Sequence, residues 1–250
     1  MSQKFHMRSK APLQQRGVAL FVVIVFVMLS MLLALWASRT SLFNELVVSN
    51  DADYQRAFEA AQALLQDAEL DIRNENSDGS TCATPTSTEG KELLCRPGNI
   101  DKVPLEAQAI LPLLTALDAQ PSKCRYALCS KRASEQDFWN DKDTLKEMTK
   151  SNVGARYGDY TGAAPGTPEE PANPILADRG EKSGGWYWIE VLPYDESSKN
   201  SGLFVDNQSK LLGLNLTPNV IYRITALAYG RKAETMVVLQ QTYAQQKLKD

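Results

Sequence analysis

No position between Gly17 and Ser38 carries a charge, and the run from Val18 to Leu29 is apolar throughout. About 20 apolar residues in a helix cross the hydrocarbon core of a bilayer, so residues 18–38 predict a transmembrane helix. The helical pattern continues where charges return. Leu42, Leu46, Tyr54, Ala57, Phe58, Ala61, Leu64, Leu65, Ala68 and Ile72 recur at spacings of three and four, with Asp67, Asp71 and Arg73 read onto the other face. Good helix formers fill Arg56 to Leu70, and neither Pro nor Gly interrupts Val18 to Arg73. One helix over 18–73 is predicted, roughly 80 Å long at 1.5 Å per residue. Its first half suits lipid, and its second half suits a domain packed along one stripe. Ser49-Asn50-Asp51 is the candidate for a local bend.

The chain ends in alternating patterns. Trp186–Leu192, Val220–Ala228 and Thr235–Tyr243 read as strands, and Gly230-Arg231-Lys232 as the turn of a hairpin between the last two. They predict an antiparallel meander on the second half of the long helix, with Trp186, Trp188 and Tyr222 as core or sheet-face aromatics. Residues 74–184 hold most of the Pro and Gly and read as an irregular insertion. Two short helices are expected within it: Leu105 to Leu117, broken at Pro112, and Ser134 to Lys150, opened by a capping-box spacing at Ser134 and Asp137. Residues 158–184 read as a surface loop. The predicted class is α+β: a long N-terminal helix, a disulfide-bearing insertion over 74–184 and a sheet over 185–250.

The flank before the apolar run holds Lys4, Arg8, Lys10 and Arg16 and no acid. By the positive-inside rule this end stays cytoplasmic, and the large remainder faces the other side, as a single-pass inner-membrane protein with a periplasmic domain. A cleaved secretory signal fits poorly, because Trp36 is bulky within Ala34–Ser38 and the apolar run is long. An uncut, bitopic anchor carrying a periplasmic binding domain is the plain alternative. A basic leader ending at Gly17, followed at once by the apolar helix, resembles the class III signal of type IV pilins. There a prepilin peptidase cuts before the apolar stretch, here between Gly17 and Val18, and residues 1–17 form the leader peptide.

The chain resembles PilX-type minor pilins, the type IV pilus assembly proteins that help start the fibre. The matching residues are Gln15-Arg16-Gly17-Val18-Ala19-Leu20 and Ala57–Glu69 near the start. Near the end they are Tyr222–Ala226, Gly230 and Val237–Tyr243. The resemblance covers roughly residues 14–73 and 185–243, with Phe138-Trp139 between them. It implies a pilin-like fold and, as partners, other minor pilins, a tip adhesin, the major pilin and the prepilin peptidase. Such fibres serve twitching motility, adhesion or DNA uptake. Major pilins carry a glutamate as the fifth mature residue, thought to pair with the terminal amine of a neighbouring subunit. Val22 stands there in this chain. The tip pseudopilin of type II secretion also lacks that glutamate and caps its filament, so the analogy implies a place at or near the pilus tip.

Removing the leader takes the formal net charge from −3 to −7. An acidic chain of this kind argues against direct nucleic-acid binding, which needs basic patches. Cys82, Cys95, Cys124 and Cys129 all follow the membrane segment. An even count in an exported region reads as two disulfides. Of three pairings, Cys82–Cys95 and Cys124–Cys129 are favoured, because each encloses a short loop. The only histidine is His6, in the leader, which removes Ser-His, Cys-His and His-metal mechanisms from the mature chain. No enzyme activity, cofactor or metal is expected. Glu169-Glu170 reads as solvated. Asn74-Glu-Asn-Ser-Asp78-Gly79 matches the start of a calcium loop, but Pro85 occupies its twelfth position, so a polar turn ending the helix is expected. The sequons at Asn207 and Asn215 read as chance.

Overall fold

The computed structural model describes residues 16–82, 96, 102–104, 106–132, 137–166, 172–193, 219–232 and 234–245. Sequence expectations that rest on His6, Pro85, Cys95, Leu105, Ser134, Glu169, Glu170, Asn207 or Asn215 lie outside the described residues, as does most of the leader. The chain divides into two compact units, Met1–Asp51 and Ala52–Asp250.

The first helix, α1, spans Arg16–Arg73 and is helical without interruption through Ser49–Asp51, the candidate bend. In the first unit every side chain from Val18 to Asp51 is exposed, and the helix is long and apolar enough to cross a membrane. The far end of α1 stops for a local reason. Asn74 takes a left-handed conformation (φ 57°), the Asn74 N–H reaches the Asp71 carbonyl at 3.1 Å, and the Glu75 N–H reaches the Leu70 carbonyl at 2.9 Å. This pair of bonds is a Schellman end, with asparagine in the place glycine usually takes.

In the second unit, α1 buries Ala57, Ala60, Ala61, Leu64, Ala68 and Ile72. They pack with Tyr187, Ile189 and Val191 of β3 (Gly185–Pro193) and with Tyr222, Ile224, Ala226 and Ala228 of β4 (Val220–Tyr229). The alanines bring helix and sheet close. A Cβ on Gly185 would meet Leu64 Cδ1 at 2.4 Å and the Leu227 carbonyl oxygen at 3.1 Å, so a side chain at this strand start would displace Leu64 from its place against the sheet. The strands β3, β4 and β5 (Met236–Tyr243) form the expected antiparallel meander, with Trp186 opposite Leu227 and Leu227 opposite Val238.

The sheet is larger than the meander. Two short strands, β1 (Cys124–Arg125) and β2 (Leu128–Cys129), extend it in the order β1-β2-β3-β4-β5, and β2 runs parallel to β3. A second layer covers the outer face. Phe138, Met148 and Val153 bury Trp186, Trp188 and Leu227 there, and Phe138 meets the Trp188 ring edge-on at 4.9 Å between centroids. Cover on both faces is why β3 is buried from Gly185 to Val191, reading as a continuous apolar run instead of a strict alternation.

The insertion departs from expectation in three further places. Helix α2 (Ala107–Asp118) runs through Pro112 unbroken. The bond that Pro112 forfeits would have reached Gln108, in the first turn, while Ile110, Leu113 and Leu117 hold the helix by burial. Helix α3 is only Lys142–Met148, with Asp141 as its cap accepting from the Thr144 N–H at 2.7 Å. Phe138–Asn140, expected inside that helix, form one 3-10 turn that carries Phe138 to the sheet. Within 158–184, expected as loop, Pro174–Ala177 form α4. Its cap Asn173 accepts from the N–H groups of Ile175 and Leu176, and Ile175 and Leu176 are buried.

Candidate functional site

Gly17 is the second residue of α1. Val18 and Val22 both lie on exposed helix surface, Val22 at 42% exposure. The first acid along α1 is Glu45, so no carboxylate stands within the apolar run. Ser30 and Thr40 donate to the carbonyls of Phe26 and Trp36 one turn earlier, so the Ser30 hydroxyl is bonded to its own helix within the apolar run.

The other half of α1 is anchored by three buried aspartates. Asp53 and Asp67 are 14 residues apart, close to four helical turns, and Asp71 lies one turn beyond Asp67. Asp53 accepts from the N–H groups of Arg231 and Lys232 at 2.9 and 3.1 Å, which ties α1 to the β4–β5 turn. Asp67 accepts from the Gly158 N–H at 2.8 Å and from the Thr161 hydroxyl. Asp71 takes both arms of Arg96, through Nε at 2.7 Å and through Nη2, and also accepts from the Tyr187 hydroxyl at 3.0 Å.

This overturns the reading that placed Asp67 and Asp71 on the face away from the core. They are 1% and 5% exposed. Their partners stand 25 to 116 residues away in sequence, so the apolar periodicity of α1 carries no trace of them. Arg73 is half-buried and pairs with Glu75 at 2.8 Å and Glu69 at 3.7 Å.

Burial pushes the Asp67 carboxyl up to about 6. The bonds from Thr161 and Gly158 oppose that shift, and the charges of Asp71 and Asp159 add to it. Burial likewise raises the Tyr187 hydroxyl well above its ordinary range. Arg96 completes the cluster. Its Nη1 donates to the Tyr126 carbonyl, and its guanidinium lies 4.2 Å from the centre of the Tyr160 ring.

Cys124 and Cys129 are joined by a disulfide and buried at 2% and 3% exposure. They close a two-residue hairpin turn in which Tyr126 and Ala127 both have positive φ, 49° and 64°. Bonds from their N–H groups to the carbonyls of Asn152 and Val153, at 2.9 and 2.8 Å, hold the turn. Cys82 is also disulfide-bonded, and Cys95, its expected partner, lies outside the described residues. Trp186, Trp188 and Tyr222 are buried, and the Trp188 indole donates to the Met148 carbonyl at 3.0 Å. Glu190 of β3 accepts from Arg223, its cross-strand neighbour on β4, at 2.8 Å and from the Arg132 N–H at 2.8 Å.

The residues matched to the start of a calcium loop form a polar turn. Asp78 accepts from the Ser80 N–H at 2.8 Å, and Asn76 and Ser80 bond to each other through backbone and side chain. Among the described residues, no three of His, Cys, Asp and Glu are grouped to hold a metal.

A helix long and apolar enough to cross a membrane and an α+β domain are the two parts of a pilin-like subunit. A family model described as Type IV pilus assembly protein PilX C-term matches residues 117–245, just over half of the chain, and a second, PilX N-terminal, matches residues 16–66. The chain therefore belongs to the PilX family of type IV pilus assembly proteins, which act with other pilus components. The first match also takes in the disulfide hairpin and the outer layer of the sheet, where the sequence resemblance was thin. No curated protein and no solved structure matches the chain.

Proposed function

We propose that this chain is a minor pilin that primes assembly of a type IV pilus from a position at or near the tip, in complex with other minor pilins and a tip adhesin. The leader, residues 1–17, is cut from the cytoplasmic side by a prepilin peptidase. The domain after residue 38 faces the periplasm, and Val18 becomes the new terminus.

The observation that carries this reading is Val22, the fifth residue after the Gly17–Val18 junction, on a helix with no acid before Glu45. A lone ammonium in an apolar medium is costly unless paired. A repeating stack of this chain would bury one unpaired amine per subunit, a penalty on the order of several kcal/mol each. One or a few copies at an end avoid most of that penalty. Deleting the protein should reduce the number of fibres per cell and leave the shaft structure unchanged. Normal fibre numbers on deletion cells would contradict the priming role and favour an uncleaved bitopic protein with a periplasmic binding domain.

The periplasmic placement also requires full oxidation of the cysteines, with Cys82 bonded to Cys95. Labelling the denatured, unreduced protein for free thiols should find none. Two or more reactive thiols would contradict the exported, fully bridged state, and a Cys82–Cys124 peptide on mapping would refute the pairing alone.

A further inference from the structure

Asp67 is an acid where a neutral side chain could make the same bonds. Its two oxygens face the Gly158 N–H and the Thr161 hydroxyl, and among the described residues no cation is bonded to it. The charged and titratable groups that act on it are Asp71 on α1, Asp159 and Tyr157 on the facing loop and Tyr187 on β3, with Arg96 and Tyr160 joined to Asp71 behind them. The cations of the two neighbouring clusters are engaged elsewhere: Arg96 with Asp71, and Arg179 with Asp159 and the Tyr157 carbonyl.

The loop that Asp67 holds is a tight hub. Gly158 and Gly162 both have positive φ, 78° and 68°, and a Cβ on Gly158 would fall 1.8 Å from the Ala163 carbonyl oxygen. The Thr161 carbonyl accepts from the Ser77 N–H at 2.8 Å. Arg156, two residues before Gly158, lies 3.9 Å from the centre of the Trp186 ring and donates to the carbonyls of Asp178, Gly180 and Ser183.

We infer that Asp67 makes the joint between α1 and the 156–163 loop a pH-dependent latch, closed by protonation in mildly acidic surroundings and loosened by ionisation towards neutral and alkaline pH. The protonated carboxyl keeps both bonds. Its carbonyl oxygen accepts from Gly158, and its hydroxyl donates to Thr161, whose oxygen also accepts from the Ala163 N–H. The ionised carboxylate keeps its two donors but holds an uncompensated charge out of water beside Asp71, and opening the loop hydrates it.

The closed state binds the proton more tightly than the open state, because the carboxyl is held near 6 when closed and near 3.9 in water. Latch strength is therefore full below the open-state value and is lost as pH rises through about 6. Between pH 5 and 7.5 the opening equilibrium should rise about tenfold. This inference stands apart from the fibre role.

Amide hydrogen exchange of the detergent-solubilised full chain, corrected for intrinsic exchange rates, tests it. The peptide over 156–163 should lose about tenfold protection from pH 5 to 7.5, with a midpoint near 6, while peptides from β3 and β4 hold theirs. In Asp67→Asn the 156–163 profile should be flat. A flat wild-type profile, an equal loss across β3 and β4, or an unchanged slope in Asp67→Asn would each overturn the latch. Should Asp67→Asn fail to fold, the wild-type comparison of 156–163 with β3 and β4 still decides.

Discussion

Replacing Asp71 with alanine should lower the stability of the second unit by about 3–5 kcal/mol, the range for removing one partner of a buried ion pair. The carboxylate is the acceptor for both arms of Arg96 and for the Tyr187 hydroxyl. Arg96 and Asp71 side chains are 4% and 3% exposed, so the variant strands a guanidinium out of water and leaves a buried hydroxyl without its acceptor. Domain stabilities of about 5–15 kcal/mol are usual, so the loss would be a large fraction of the total. Removing both charges is a different matter. Asp71→Leu combined with Arg96→Met deletes the attraction and the desolvation together, and should recover most of the loss. Denaturant unfolding of the solubilised chain measures both variants. A loss under about 1 kcal/mol in Asp71→Ala, typical of an exposed pair, would show that the cluster does not anchor α1 energetically.

Gly17→Arg should abolish processing and keep the chain out of fibres. The proposed junction, Gly17–Val18, lies between the second and third residues of α1, where a glycine would let a peptidase reach the backbone closely and an arginine side chain would block that approach. An uncut chain retains Lys4, Arg8, Lys10 and Arg16 beside its membrane helix. Drawing that helix out of the bilayer into a fibre would pull four cations into hydrocarbon, each a cost of about 2.5–3.5 kcal/mol on the insertion scale. Intact-mass measurement of the membrane-extracted protein, made with its peptidase, should give a chain beginning at Val18 for the wild type and at the leader for the variant. Fibre-associated protein that still carries Met1, or normal cleavage of the variant, would contradict this account.

The main architecture is legible in the sequence because its elements are long. The helix shows itself through an uncharged run followed by three-and-four spacing up to Ile72, and β3, β4 and β5 through extended apolar or alternating stretches. The two short strands are not legible, since each is two residues long and their turn lacks the Asn-Gly type of signal. Tyr126 and Ala127 occupy its left-handed positions instead, held by the disulfide and by the 152–153 carbonyls. The burial of Asp67 and Asp71 is not legible for a related reason. Periodicity counts apolar positions, whereas Asp67 and Asp71 are buried by donors that other segments bring to them. Gly158, Thr161 and Gly162 fall in the stretch 158–184 that reads as a surface loop, and nothing local ties that loop to a helix more than 90 residues earlier. Trp188 was legible as a core aromatic. The layer that covers it was not, because Asp141 starts α3 and the residues before it turn towards the sheet.

Quantitative mass spectrometry of sheared, purified fibres tests the central claim most directly. If Val22 confines this subunit to an end of the fibre, its copy number should be a small fraction of that of the major subunit, independent of fibre length, with the chain beginning at Val18. A copy number comparable to that of the major subunit, or one that grows with fibre length, would contradict it.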